Sequence, residues 1–148
     1  MVIRRFAAAV GVAAGLVFAW PASAALPPQA YLEARREAAL HLQVKVQKVR
    51  LRPSAGACLI EGRVLRAFRG DARPGARIVF DAPCRFPGAV PMPGPVLWFQ
   101  PDDLQKGQVL EGFFNGTPTT PAIARSQLFV VASETDAPRC GTEDYACR

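Results

Sequence analysis

The stretch from Cys58 to Cys84, CLIEGRVLRAFRGDARPGARIVFDAPC, constrains the fold more than any other part of the chain. Two runs rich in β-branched and aromatic residues flank Arg73-Pro74-Gly75. Large apolar residues fall in an alternate-position phase, Ile60, Val64 and Phe68 in the first run and Ile78 and Phe80 in the second. A period of two belongs to a strand with one buried face, and a Pro-Gly pair between two such runs marks a hairpin. Leu65 falls out of phase, which predicts a bulge in the first arm. With the turn centred near Ala72–Arg73, Cys58 lies opposite Pro87 and Cys84 opposite Glu61, and a bulge or two brings the cysteines within bridging distance.

The ends of the chain set the compartment in which those cysteines sit. Met1 to Arg5 is a short basic segment, Phe6 to Trp20 is uncharged, and Ala22 and Ala24 stand at the −3 and −1 positions of a small-residue cleavage site. Residues 1–24 are therefore expected to be a signal peptide, too short for a stable membrane span. The Arg4-Arg5 pair also fits twin-arginine export, but the strongly apolar segment after it suits general secretion. The protein is expected to be periplasmic or secreted. Cleavage takes the net charge from +6 to +4. All four cysteines lie in the mature chain, and an even count in a small exported domain reads as a disulfide framework. Cys58–Cys84 and Cys140–Cys147 are the expected pairs. With no CxxC pair and a single histidine, no metal site or cofactor is expected.

The remaining sequence adds one helix and several short strands. Residues 29–40, QAYLEARREAAL, are rich in good helix formers, so residues 25–39 read as an N-terminal segment with a short helix. From Leu40 the period becomes two, with Leu40, Leu42, Val44 and Val46 alternating with His41, Gln43, Lys45 and Gln47. Beyond Gln47 the apolar phase shifts to Val49 and Leu51, which predicts a bulge or sharp bend. Residues 85–95 carry four prolines and read as a loop. Residues 96–100, 108–116 and 127–133 read as further strands, with Asn115-Gly116 as a tight-turn pair and a loop at 117–126. Five or six strands with proline-rich connections predict a small mainly β barrel or sandwich over residues 40–132, followed by a disulfide-closed tail at 133–148.

Val64, Phe68, Arg69 and Gly70, followed by Gly94, Leu97, Trp98 and Phe99, resemble the netrin-module and tissue-inhibitor-of-metalloproteinase type of OB-fold. The resemblance covers about residues 40–132 and implies a five- to six-stranded OB-like barrel. Arg69 replaces the lysine of the family pattern. Inhibitors of that family chelate a protease zinc through an N-terminal cysteine. Here the mature chain begins Ala25-Leu26-Pro27, with no cysteine before Cys58, so the resemblance implies the fold and transfers no functional residue.

Catalytic chemistry finds little support. A hydrolase needs a base beside its nucleophile, and His41 is the sole histidine, placed on the polar side of its strand where solvation is expected. No G-x-S-x-G elbow is present. Asp102-Asp103 and Glu143-Asp144 are adjacent acids that suit solvated turns. Trp98, Phe99, Phe113 and Phe114 offer stacking surface, although aromatics in short apolar strands usually fill cores. An exported chain with a modest positive charge is a poor nucleic-acid binder. The expectation is a non-enzymatic binding protein whose ligand, a protein or an anionic envelope component, meets Arg63, Arg66, Arg69 and Arg77. The alternatives are an inhibitor of an exported hydrolase acting through the 85–95 loop, and a small hydrolase dependent on His41.

Overall fold

The computed structural model describes residues 26–88 and 96–144. Residues 1–24, expected to be a signal peptide, residues 89–95 of the proline-rich loop and Cys147 lie outside the described residues. The Cys140–Cys147 pairing lies there with them. A helix α1 (Pro28–Glu37) precedes five strands: β1 (Leu40–Arg52), β2 (Ala57–Arg69), β3 (Arg77–Pro83), β4 (Val109–Thr117) and β5 (Thr120–Val131). Short 3-10 turns occupy Pro53–Ala55 and Pro101–Asp103. The strands form one antiparallel sheet in the order β3-β2-β1-β4-β5. No helix among the described residues is long and apolar enough to cross a membrane.

Alternation along each strand sends one set of side chains inward. Leu42, Val44, Ile60, Ile78, Phe80, Leu110, Phe114 and Leu128 meet there in one buried cluster. The sheet has to curl for this to happen. In a flat sheet β3 and β4, three strand spacings apart, would lie about 14 Å from each other, yet the rings of Phe80 and Phe114 stand 4.9 Å apart, edge to face. The same curl brings the Cα atoms of the edge strands β3 and β5 within 8 Å. The hydrogen-bonded sheet is open at this seam.

The two expected bulges are present. Gln47 is the extra residue between the pairs Val46↔Gly62 and Lys48↔Glu61, and Leu65 lies between Val44↔Val64 and Gln43↔Arg66. A third shift, at Phe68, separates Leu42↔Ala67 from His41↔Arg69. Close approach of β1 to β2 at the first bulge requires glycine. A Cβ on Gly62 would stand 2.4 Å from Val44 Cγ1 and 3.0 Å from the Lys45 carbonyl oxygen.

The hairpin register differs from expectation. Cys58 lies opposite Ala82, and the ladder ends at Arg63↔Arg77. The expected Pro74-Gly75 turn does form, closed by the Ala76 N–H on the Arg73 carbonyl at 3.0 Å, but it does not join the ends of β2 and β3 directly. Val64 N–H still bonds the Ala76 carbonyl (2.9 Å) and Gly75 N–H the Val64 carbonyl (2.7 Å), after which β2 leaves β3 and pairs with β1 alone. Cys84 consequently faces Gly56, to whose carbonyl its N–H donates at 2.9 Å, and not Glu61. The expected Cys58–Cys84 disulfide forms, with Cα atoms 5.6 Å apart.

The C-terminal strands also depart from the sequence reading. Asn115 and Gly116 lie inside β4, paired with Ala122 and Pro121, and the turn falls three residues later at Pro118-Thr119. Gly116 (φ +85°) is required beside that turn, because a Cβ there would meet the Thr120 carbonyl oxygen at 2.5 Å. The predicted loop at 117–126 is therefore mostly strand. Of residues 96–100, only Phe99 makes a strand-like contact, an isolated parallel bridge to Cys84.

Candidate anion-binding face

Directly opposed strand residues point to the same side, so register defines the outer face. At its open end, Lys45 of β1 lies opposite Arg63 of β2, which lies opposite Arg77 of β3. Three cations thus stand abreast on adjacent strands. Below them come Lys48, Glu61 and Val79, then Arg50, Leu59 and Asp81, and finally Arg52 beside Ala57. All six basic residues are exposed. Only Glu61 and Asp81 oppose them in charge.

Those two carboxylates are already engaged. Glu61 accepts from Arg50 at 2.6 Å and from Arg77 at 3.0 Å. The hydrogen bond from Arg77, helped by the charges of Arg50, Arg77 and Lys48, holds its carboxyl below the usual value against a smaller opposing effect of desolvation. Asp81 accepts two hydrogen bonds from Arg52, both at 2.9 Å. Arg63 donates to the Gly75 carbonyl at 2.8 Å. Among the described residues, no carboxylate forms an ion pair with Arg63 or Lys45.

The other end of the same face is covered. Helix α1 and residues 134–144 lie over β1, β4 and β5, burying Ala34, Ala38, Phe113, Ala124, Phe129 and Cys140 in a second, smaller cluster. Arg69 opposes His41 at this end, and Arg66 opposes Gln43. The Arg69 guanidinium ends helix α1 by donating to the carbonyls of Arg35 (2.7 Å), Arg36 (3.0 Å) and Ala38 (3.0 Å). Cationic donors at a helix C-terminus satisfy its unpaired carbonyls and suit its dipole. Arg66 pairs with Asp136 at 2.8 Å and Glu134 at 3.5 Å. The four predicted arginines therefore share one face, but Arg66 and Arg69 hold the molecule together. Arg63 and Arg77 remain at the uncovered end.

His41 is not solvated as expected. It is 4% exposed, and its ring stacks on Phe113 with centroids 3.8 Å apart. Its Nε2 lies 2.8 Å from Glu111 Oε1. Glu111 is fully buried and also accepts from Gln43 Nε2 (2.7 Å) and from the N–H groups of Arg139 (3.0 Å) and Cys140 (2.9 Å). Burial by itself would raise the Glu111 carboxyl, and the four hydrogen bonds together outweigh it, so the group sits below its ordinary value. Gln43 completes the clasp by bonding Thr135 through both ends of its amide, at 2.8 and 3.0 Å. Arg35 lies over Phe113 and Phe129 and bonds Gln127 and the Gly141 and Asp144 carbonyls; burial lowers its pKa.

The aromatic residues considered as a stacking platform divide in the same way. Phe99, Phe113 and Phe114 are buried, and Trp98 is half-buried, with its ring over Gly56. Sequence reading missed Lys48, Arg50 and Arg52, although it carried the signal for them. Once Gln47 is bulged out, these three residues return to the face of Lys45. Comparison with known proteins adds no relative: no family model matches the chain, and no curated protein matches it in sequence.

Proposed function

We propose that the chain is an exported, non-enzymatic binding protein of the cell envelope or extracellular space that captures an anionic component on the Lys45–Arg63–Arg77 face. The row of three cations carries this reading. Side chains directly opposed across strands lie about 5 Å apart and like charges there are destabilising. That separation is within the ~8 Å screening length at physiological salt. The pairing of Arg77 with Glu61 leaves Lys45 and Arg63 without a carboxylate, and an anionic ligand converts the mutual repulsion of the row into affinity. Lys48, Arg50 and Arg52 extend the positive field, and Glu61 and Asp81 fix the orientation of their neighbours.

Two finer readings support this proposal. The strand order, the curl and the approach of β3 to β5 fit an OB-like barrel closed at that seam. This is the architecture implied by the resemblance to netrin-type modules, and OB-type barrels commonly bind ligands on a sheet face. A Cys140–Cys147 bridge would pin the tail that covers the other end, and two disulfides suit an exported domain.

The test compares the mature protein with a Lys45→Gln/Arg63→Gln/Arg77→Gln variant. Binding is measured to vesicles of anionic or zwitterionic phospholipid and to an acidic polysaccharide, across a salt series. The parent is expected to bind at least one anionic surface, with affinity falling as salt rises. The variant should keep its melting temperature and lose that binding. Equal binding by the variant, or binding indifferent to charge and salt, defeats the proposal.

A further inference from the structure

A groove of about 480 Å³ lies in the seam where β3 approaches β5, lined by Leu26, Pro83, Val96, Pro121 and Ile123 with Asp81, Arg125 and Ser126 among its polar residues. We infer that this groove is a second binding site, bordering the basic face at Asp81 but distinct from the Lys45–Arg63–Arg77 row, for a single-chain amphiphile with an apolar body and an anionic head held by Arg125.

Four observations converge. The volume falls in the ~300–1,000 Å³ range of small-molecule sites, which are mostly apolar with a few placed polar groups. The charges are complementary to an anion. Asp81 is already matched by the paired hydrogen bonds from Arg52, whereas among the described residues no carboxylate forms an ion pair with Arg125, which is exposed. The backbone is strained at the polar end, where Arg125 (φ +35°) and Ser126 (φ +61°) are the two non-glycine residues in the left-handed region among the described residues. Strain of this kind persists where the surroundings over-determine it and clusters at ligand sites. Here it accompanies the widest irregularity of β5, the shift between the pairs Gly112↔Leu128 and Phe114↔Ile123. Finally, Ser126 Oγ accepts the Leu97 N–H at 3.1 Å, tying the segment that carries Val96 to β5 as a groove wall.

An extended peptide added between the edge strands is the competing occupant, and geometry disfavours it. Inserting a strand requires neighbours on both sides at ~4.8 Å, or about 9.6 Å between β3 and β5. Their Cα atoms come within 8 Å. Pro83 and Pro121, one on each edge, have no N–H to contribute to a ladder. A slender alkyl chain has neither requirement.

The experiment is titration calorimetry of the mature protein with dodecanoate below its micelle concentration, with dodecylammonium as the cationic control. The parent is expected to bind one dodecanoate saturably and dodecylammonium more weakly. Arg125→Gln should bind dodecanoate at least about tenfold more weakly, the loss of one charge-assisted contact. Arg125→Gly, which removes the charge and relieves the strained φ, should lose affinity equally while melting no lower than the parent. The Lys45→Gln/Arg63→Gln/Arg77→Gln variant should bind as the parent does. Undiminished binding by both Arg125 variants, absence of saturable binding by the parent, or loss of binding in the triple variant overturns the inference. The last outcome would assign the amphiphile to the basic face.

Discussion

Glu111→Ala is the substitution that most directly tests the covered end of the sheet. The carboxylate ends four hydrogen bonds, from His41, Gln43 and the N–H groups of Arg139 and Cys140. The losses are unequal. Gln43 keeps Thr135 as an acceptor, and His41 has a second ring nitrogen through which it can change tautomer. The buried Cys140 N–H loses a charged acceptor at about 1–3 kcal/mol, and the part-buried Arg139 N–H loses the same acceptor at a smaller cost. With the emptied side-chain volume, the total comes to about 3–5 kcal/mol, the range for breaking a buried polar pair by removing one partner. For a domain of this size that is a fall of about 10 °C or more in melting temperature.

The acid dependence supplies a second, independent check. A carboxyl whose folded pKa is depressed contributes stability above its unfolded value of about 4.3, and the contribution is lost as pH falls through the folded pKa. Burial pushes Glu111 up, the hydrogen bonds push it further down, and the net direction is down. Thermal melts of parent and variant at neutral pH should therefore lie far apart and converge as pH drops below the carboxylate range. Hydrogen exchange at neutral pH should show residues 134–140 losing protection in the variant. A variant melting within about 2 °C of the parent at neutral pH, or a gap between the two that stays constant into acid, would refute the reasoning.

The two classes of arginine can be separated by stability alone. Arg69→Met should cost about 1–2 kcal/mol through loss of the helix C-terminal donors, visible in the melt and in helical circular dichroism. Arg63→Met, on the same face, should stay within about 0.5 kcal/mol of the parent. Replacing both Cys58 and Cys84 by alanine should cost about 3 kcal/mol, from the loop that the bridge closes in the unfolded chain. Denaturant titration of the oxidised and doubly substituted proteins measures it, and a midpoint unchanged on substitution would contradict that account.

Period-two alternation made β1 to β3 legible, because each has one face in the main core and the other in or near water. The bulges at Gln47 and Leu65 were legible for the same reason: an extra residue inverts the phase of everything after it. The burial of His41, Gln43 and Glu111 was not. These residues occupy the polar phase of β1 and β4, and they are covered by a tail that carries no apolar pattern. Thr135 and the backbone of Arg139 and Cys140 contribute hydrogen bonds, to which hydrophobic periodicity is blind. A carboxylate between Leu110 and Gly112 in a run of core residues was the available clue, since such a group folds only with donors around it. The hairpin register failed for another reason. Arg73-Pro74-Gly75 is a turn, but β2 is shared between two neighbours, and its pairing with β1 carries it past the point where β3 leaves.

The outer face of one sheet thus obeys two different rules. At the covered end the charges on the sheet are matched: Arg69 by helix carbonyls, Arg66 by Asp136 and Glu134, and Glu111 by four donors. At the open end Lys45 and Arg63 stand abreast of Arg77 with no carboxylate of their own among the described residues, and Arg77 shares Glu61 with Arg50. Protection against edge-to-edge aggregation is the ordinary reason for cations on a sheet, and it accounts for Arg77, because β3 is an edge strand. It does not account for Lys45 or Arg63. They lie on β1 and β2, which are paired on both sides, so there is no edge for them to guard. A chain that matches the charges of its covered end, yet sets Lys45 and Arg63 beside a third cation with no carboxylate of their own, departs from local consistency in the way expected of a functional surface.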